Sequence, residues 1–136
     1  MTVKELLTNK FFILILMLFL HVLADFHLQG ILANMKQKDW WKEQIGGDNE
    51  KLQFYKHDWA VALLAHSFEW TFIIMLPIFF VYGFDLLVAA VMALNIIAHS
   101  ECDNIKCNKK ASNLVADQII HIIQILLTWV VFIALL

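Results

Sequence analysis

The sequence predicts an all-α integral membrane protein, an antiparallel four-helix bundle with a polar pocket of histidine and aspartate at one end. Of its 136 residues, 61% are hydrophobic, and the mean hydropathy of +0.70 is too high for an ordinary soluble domain. The apolar residues fall into four stretches of about 20 residues or more, the length that crosses a bilayer core. These features predict a single transmembrane domain over residues 1–136.

The first predicted span covers residues 5–33. Its charged start and apolar run resemble a signal peptide, but the apolar run continues through His21 and Asp25 without a small-residue cleavage site. We therefore expect this segment to be retained as a membrane helix.

Three further spans follow, and short connections join them. Gly83 and Phe84 form a tight turn, and residues 105–111 form a short loop that contains three lysines. Short connections favour antiparallel neighbours, so an up-and-down bundle is expected. The predicted spans are residues 56–82, 85–104 and 112–136.

A long polar loop is predicted at residues 34–55. Its Trp40 and Trp41 are typical of a segment that lies at the level of the lipid headgroups. Gly46 and Gly47 allow a turn over the pocket, so the loop is interpreted either as a lid or as an aromatic anchor.

Pairs of histidine and aspartate four residues apart occur in three of the spans. Residues at this spacing lie on one face of a helix, about 6 Å apart, close enough to bind one ion. The pairs lie at the ends of spans that meet at one level in an antiparallel bundle, and His66 joins them from the second span. The pairs are His21 with Asp25, His99 with Asp103, and Asp117 with His121.

The acidic side chains within the predicted spans need a positive charge or a proton to neutralise them. No lysine or arginine occurs in residues 11–35, 57–105 or 111–136. An uncompensated aspartate near the membrane centre costs roughly 2.5–3.5 kcal/mol. We therefore expect that no cation of the protein neutralises the acidic side chains, which leaves protons, imidazolium or a bound metal.

A metal site with one or two divalent transition-metal ions is the preferred interpretation. Imidazole and carboxylate ligands favour zinc, with manganese or ferrous iron as alternatives, and seven ligands exceed the four to six of one ion. Protonated carboxylates hydrogen-bonded to neutral histidines remain the alternative. The predicted ligands are His21, Asp25, His66, His99, Asp103, Asp117 and His121. The amides predicted to orient them are Gln29, Asn95, Asn113 and Gln118.

Lysine counts predict the orientation of the bundle. The two loops next to the pocket hold eight of the ten basic residues, whereas Lys4 and Lys10 lie at the other end. The positive-inside rule then places the pocket in the cytoplasm and both termini outside. Because all the basic residues are lysines and the net charge is −2, nucleic-acid binding is not expected.

Four motifs occur in order along the chain, at residues 21–29 (HVLADFHLQ), 66–70 (HSFEW), 95–106 (NIIAHSECDNIK) and 113–121 (NLVADQIIH). Together they resemble a family of small bacterial and phage membrane proteins, domain of unknown function family 3307. The size and the His/Asp-bearing spans are also similar to those of membrane-bound metal-dependent hydrolases of the bacterial inner membrane. The second resemblance implies an inner-membrane location and hydrolytic chemistry.

The leading functional prediction is a metal-dependent hydrolase whose substrate, a lipid or a lipid-linked phosphate or ester, enters at the membrane surface. A metal would activate water and polarise the scissile bond, and Glu69, Asp25 or Asp103 would act as general base.

Two alternatives from other classes stay open. A metal- or ion-coupled transporter or channel subunit also carries acids and histidines in its spans, although four spans form no route unless a homo-oligomer assembles around one. A di-iron redox enzyme uses a similar bundle but normally a Glu-x-x-His motif, which this chain lacks.

Overall fold

All regular secondary structure in the described part of the chain is helical. The structure is a computed structural model that describes residue 5 and residues 9–133. The predicted span residues 6–8 and 134–136 therefore lie outside the described residues. In chain order the helices are α1 (Lys10–Val22), α2 (Leu32–Met35), α3 (Lys38–Ile45), α4 (Asn49–Phe54), α5 (Asp58–Tyr82), α6 (Leu86–Cys107) and α7 (Leu114–Ile133), with a π-helical segment at Leu23–Leu28.

Four of these helices are long and apolar enough to cross a membrane: α1 with its π-helical continuation, α5, α6 and α7. Helix α5 packs against α1 and α6, and α7 packs against the same two helices. At one end, the Trp129 indole donates to the Lys10 carbonyl at 2.9 Å, and the Tyr82 hydroxyl donates to the Phe132 carbonyl at 2.7 Å. These bonds place the end of α7 beside the start of α1 and the end of α5.

The first span is not the single helix predicted over residues 5–33. The α-helical backbone changes to a π-helix at Leu23–Leu28, and the segment ends in a turn where Gly30 adopts φ +48°, a conformation that favours glycine. A π-helical turn holds an additional residue and often occurs at functional sites. Here both Ala24 and Asp25 are buried.

The predicted loop at residues 34–55 contains two short helices that the hydropathy pattern did not reveal. Helix α3 ends at Gly46, which adopts the left-handed conformation with φ +66°. The Asp48 carboxylate then accepts hydrogen bonds from the amides of Glu50 and Lys51 and so caps α4. Both helices are polar, and hydropathy detects apolar runs only.

Candidate metal centre

The four long helix segments bring six buried acidic and imidazole side chains into one group. None of the six is more than 4% exposed. We call this group the His/Asp cluster, and its members are Asp25, His66, His99, Asp103, Asp117 and His121.

The spacing of four residues puts the predicted pairs on one helical face. On α6, His99 Nε2 lies 3.8 Å from Asp103 Oδ2. On α7, His121 Nε2 lies 3.7 Å from Asp117 Oδ1. Both helices direct these pairs towards the interior, where every one of the four side chains is fully buried.

Asp103 lies at the centre of the His/Asp cluster. Its Oδ2 is 3.4 Å from His66 Nε2, and its Oδ1 is 3.6 Å from His121 Nε2. His66 Nε2 is also 3.5 Å from Asp25 Oδ1 and 3.3 Å from His99 Nε2. Asp103 on α6 therefore links a side chain of α5 to one of α7.

Three of the five nitrogen–oxygen separations in the cluster, at 3.4–3.6 Å, match those of two ligands around a cation. A typical N–H···O hydrogen bond spans about 2.7–3.2 Å. Two ligands that each lie about 2.0–2.2 Å from a tetrahedral ion are about 3.3–3.6 Å apart. Asp103 Oδ1 and both ring nitrogens of His121 are buried without a hydrogen-bond partner, which is costly unless another group binds them.

Three sets of side chains could each hold an ion, since their ligand atoms lie within 4.8 Å of one another. Two of the sets share His99, and two share His121. The sets are Asp25–His66–His99, His99–Asp103–His121 and Cys102–Asp117–His121.

Comparison with other proteins gives no information on the chemistry of the cluster, so only its geometry indicates that chemistry. No protein-family model, curated protein or solved structure matches this chain. The resemblances drawn from the four motifs stay predictions.

The expectation that no cation of the protein neutralises the cluster is wrong. Lys36 is only 3% exposed, and its Nζ lies 2.5 Å from Asp103 Oδ2. Lys106 forms an ion pair with Asp117 and lies 3.9 Å from Asp103 Oδ1. Hydropathy did not indicate either lysine as a partner, because both lie outside the apolar runs. Lys36 reaches the cluster because the chain around α2 folds over it, and Lys106 reaches it because α6 continues past residue 104 to Cys107.

His21 occupies a different position from the one predicted for a ligand. The Trp70 indole donates to His21 Nδ1 at 2.9 Å. The ring proton must then be on Nε2, which donates to Gln118 Oε1 at 3.0 Å. Both ring nitrogens of His21 therefore have hydrogen-bond partners, and His21 is not in the three candidate ligand sets.

Gln118, which accepts the hydrogen bond from His21, also donates hydrogen bonds to two acids of the cluster. Its amide nitrogen donates to Asp25 Oδ2 at 2.6 Å and to Asp117 Oδ2 at 3.2 Å. Gln29 Oε1 accepts a hydrogen bond from Lys36 at 3.0 Å, and its predicted role of orienting a ligand stays a prediction.

Three other predicted residues lie away from the His/Asp cluster. Asn113 is exposed, and its Oδ1 accepts from the Ala116 amide at the start of α7. Asn95 bonds to Thr128 and Gln124, deeper in the bundle. Glu69 is half-buried and forms no hydrogen bond or ion pair with the other residues that the structure describes, so the structure does not bring it to the cluster as a base.

Two further residues of the site had weak signals in the sequence. Cys102 Sγ lies 3.5 Å from Asp117 Oδ1, although the only cysteine pattern, with Cys107, is poor evidence for a zinc site. Trp70 stacks on His99 with ring centroids 4.1 Å apart and planes inclined by 20°. In the sequence, the position of Trp70 four residues after His66 indicated that the two side chains share one face of α5.

Proposed function

We propose that the protein is a membrane-embedded hydrolase that uses one or two divalent transition-metal ions to cleave a lipid or a lipid-linked phosphate or ester. The observation that carries the proposal is the set of five nitrogen–oxygen separations of 3.4–3.8 Å among buried side chains. All five are long for hydrogen bonds, and the three of 3.4–3.6 Å match the separation of two ligands of a tetrahedral ion.

The arrangement that we propose is an antiparallel four-helix bundle in the bacterial inner membrane. Large apolar side chains on its outer surface support contact with lipid: on α1, Phe11, Ile15 and Phe19 are 72%, 63% and 61% exposed. Such a surface is unusual for a soluble monomer. The lysine distribution supports a cytoplasmic cluster, although Lys4 lies outside the described residues.

Zinc is the ion that we assign to the His/Asp cluster. Imidazole and carboxylate ligands suit zinc, manganese and iron alike, but the neighbouring Cys102 adds a thiolate ligand, which favours zinc over manganese. Two of the ligand sets, Asp25–His66–His99 and Cys102–Asp117–His121, have no residue in common, which supports two ions.

The chain itself supplies a base and cations for ester hydrolysis, while a bound ion would activate water and polarise the scissile bond. Water adds across one ester bond: its hydroxide goes to phosphorus or acyl carbon, and its proton ends on the leaving oxygen. We assign Asp25 as the proton carrier because it has no lysine partner. Lys106, with a side chain 23% exposed, would bind an anionic substrate oxygen.

Elemental analysis of the detergent-purified protein tests the metal centre. We expect one or two equivalents of a transition metal per chain, and loss of metal in Asp25→Ala and His121→Ala because each removes a ligand. His27→Ala is the matched control, since this exposed histidine is next to the site in sequence but not in the ligand sets. A parent protein that takes up no metal after reconstitution, while every variant is folded, would contradict the proposal.

The hydrolase assignment predicts a selective effect of Lys106→Gln. A charged hydrogen bond contributes about 1.5–3 kcal/mol, so kcat/KM for a phosphate-containing lipid should fall by about 10- to 100-fold while the metal content is retained. Lys109→Gln removes an exposed lysine just after the end of α6 and should leave the rate unchanged. Absence of hydrolysis by metal-loaded protein across a panel of lipid phosphates and esters would reject the assignment.

One observation supports transport as a second candidate. A buried polar network continues beyond the cluster, with Asn95 Nδ2 2.8 Å from Thr128 Oγ1 and Gln124 Nε2 3.0 Å from Asn95 Oδ1. Flux of zinc or protons into liposomes that contain the purified protein, abolished by Asn95→Leu, would favour this candidate over the hydrolase.

A further inference from the structure

A cavity lies apart from the His/Asp cluster, between α3, α4 and the start of α5. Its volume is about 430 Å³. We call it the aromatic–lysine cleft, and the residues that define it are Lys38, Trp41, Lys42, Tyr55, Lys56 and Trp59. No step of the proposed hydrolysis uses these residues.

The aromatic walls of the cleft are held in place by the short helices. Trp41 stacks on Tyr55 with ring centroids 5.8 Å apart and planes inclined by 16°. The Trp41 indole donates to the Met35 carbonyl at 2.7 Å, which ties α3 to the end of α2. Lys38 Nζ lies 4.1 Å from the centre of the Trp59 ring, a cation–π contact.

The charge of the cleft is positive. Three lysines and His57 line it, and no acidic side chain does. Among the described residues, Lys38 and Lys56 form no ion pair, so their charge is available to a ligand.

Asp39, which follows Lys38 in α3, is neutralised by two lysines. Asp39 binds Lys110 at 2.7 Å and Lys42 at 3.1 Å. The hydrogen bonds from Lys110 and Lys42 lower the pKa of Asp39 below its usual value. Asp39 is therefore ionised at neutral pH, and two lysines share its charge.

We propose that the aromatic–lysine cleft binds the headgroup phosphate of an anionic phospholipid. The cleft adjoins the first turn of α5, so it lies at the membrane surface if α5 crosses the bilayer as proposed above. Tryptophan and tyrosine favour that interface, and lysines there attract anionic lipids. The proposal is independent of metal binding.

Titration of the detergent-purified protein with short-chain lipids tests this site. Dihexanoyl phosphatidylglycerol should bind at least tenfold more tightly than dihexanoyl phosphatidylcholine. The triple variant K38Q/K42Q/K56Q should lose that preference. The matched control K10Q/K51Q/K109Q removes the same charge outside the cleft and should bind phosphatidylglycerol within twofold of the parent.

Three outcomes would overturn the proposal. They are equal affinity of the parent for the two lipids, an equal loss in the control variant, and displacement of phosphatidylglycerol by inorganic phosphate at the same concentration. Measurement with and without added zinc separates this site from the metal centre, since phosphatidylglycerol binding should not depend on zinc.

Discussion

Replacing Lys36 with methionine should destabilise the metal-free protein by about 3–5 kcal/mol, because it leaves a buried carboxylate without its closest cation. Lys36 Nζ and Asp103 Oδ2 are 2.5 Å apart, and both side chains are at most 4% exposed. Methionine keeps most of the length of the lysine side chain, so packing changes little. The free energy of unfolding, measured by titration with dodecyl sulfate in mixed micelles, checks this prediction.

Two control variants distinguish the loss of charge from a general effect of mutation. The double variant K36M/D103L removes both charges and should recover most of the stability, since apolar pairs often replace buried ion pairs without cost. Lys109→Met removes an exposed lysine whose partner Glu101 is also exposed, and it should change stability little. A Lys36→Met protein as stable as the parent would mean that Asp103 does not need the lysine.

The same substitution should strengthen metal binding. In the metal-free protein, Lys36 and an incoming ion compete for Asp103 Oδ2. Removal of the lysine therefore leaves the carboxylate to the ion, and added zinc should restore more stability to Lys36→Met than to the parent. An unchanged zinc affinity would place the ion away from Asp103.

Local patterns predicted the long apolar helices and the residue pairs within them. The apolar run at residues 56–82 corresponds to α5 at Asp58–Tyr82, because a long apolar stretch with few breakers favours one continuous helix. The spacing of His99 and Asp103 predicted a shared face because four residues make about one turn. Helix α6 passes the predicted end at residue 104 because hydropathy marks the end of an apolar run, and Asn104 and Lys106 continue the helix as polar residues.

Contacts between distant parts of the chain were not predictable in this way. Lys36 and Asp103 are 67 residues apart, and His21 and Gln118 are 97 apart. The spacing within a helix does not report such contacts, so the pattern that paired His21 with Asp25 missed the bond between His21 and Gln118. The π-helical segment was a second reason why the prediction failed, because it alters the helical face on which Asp25 lies.

Trp70 should have the second large effect, through packing and through its indole N–H. It is fully buried, stacks on His99 and lies 5.4 Å from His121 between ring centroids. Trp70→Ala should therefore destabilise the protein by about 3–5 kcal/mol, the usual cost of removing a large aromatic side chain from a core. Thermal or dodecyl sulfate unfolding measures this loss.

Trp70→Phe isolates the hydrogen bond from the packing. Phenylalanine keeps an aromatic ring against His99 but leaves His21 Nδ1 without its donor, which should cost about 1–3 kcal/mol. The His21 proton is then free to move to Nδ1, so Nε2 no longer donates to Gln118 and the amide no longer has a fixed orientation. Because groups that orient ligands typically contribute 10- to 100-fold in metal affinity, zinc binding should weaken by about that factor.

Trp129→Phe is the matched control for this substitution, since its indole donates to the Lys10 carbonyl at the opposite end of the bundle. It should lose stability without a change in zinc affinity. The tautomer of His21, read from the nitrogen chemical shifts of labelled protein, should change in Trp70→Phe only. Equal zinc affinities in the two variants would show that the path from Trp70 through His21 and Gln118 does not position Asp25 and Asp117. The ligand geometry would then depend on helix packing alone.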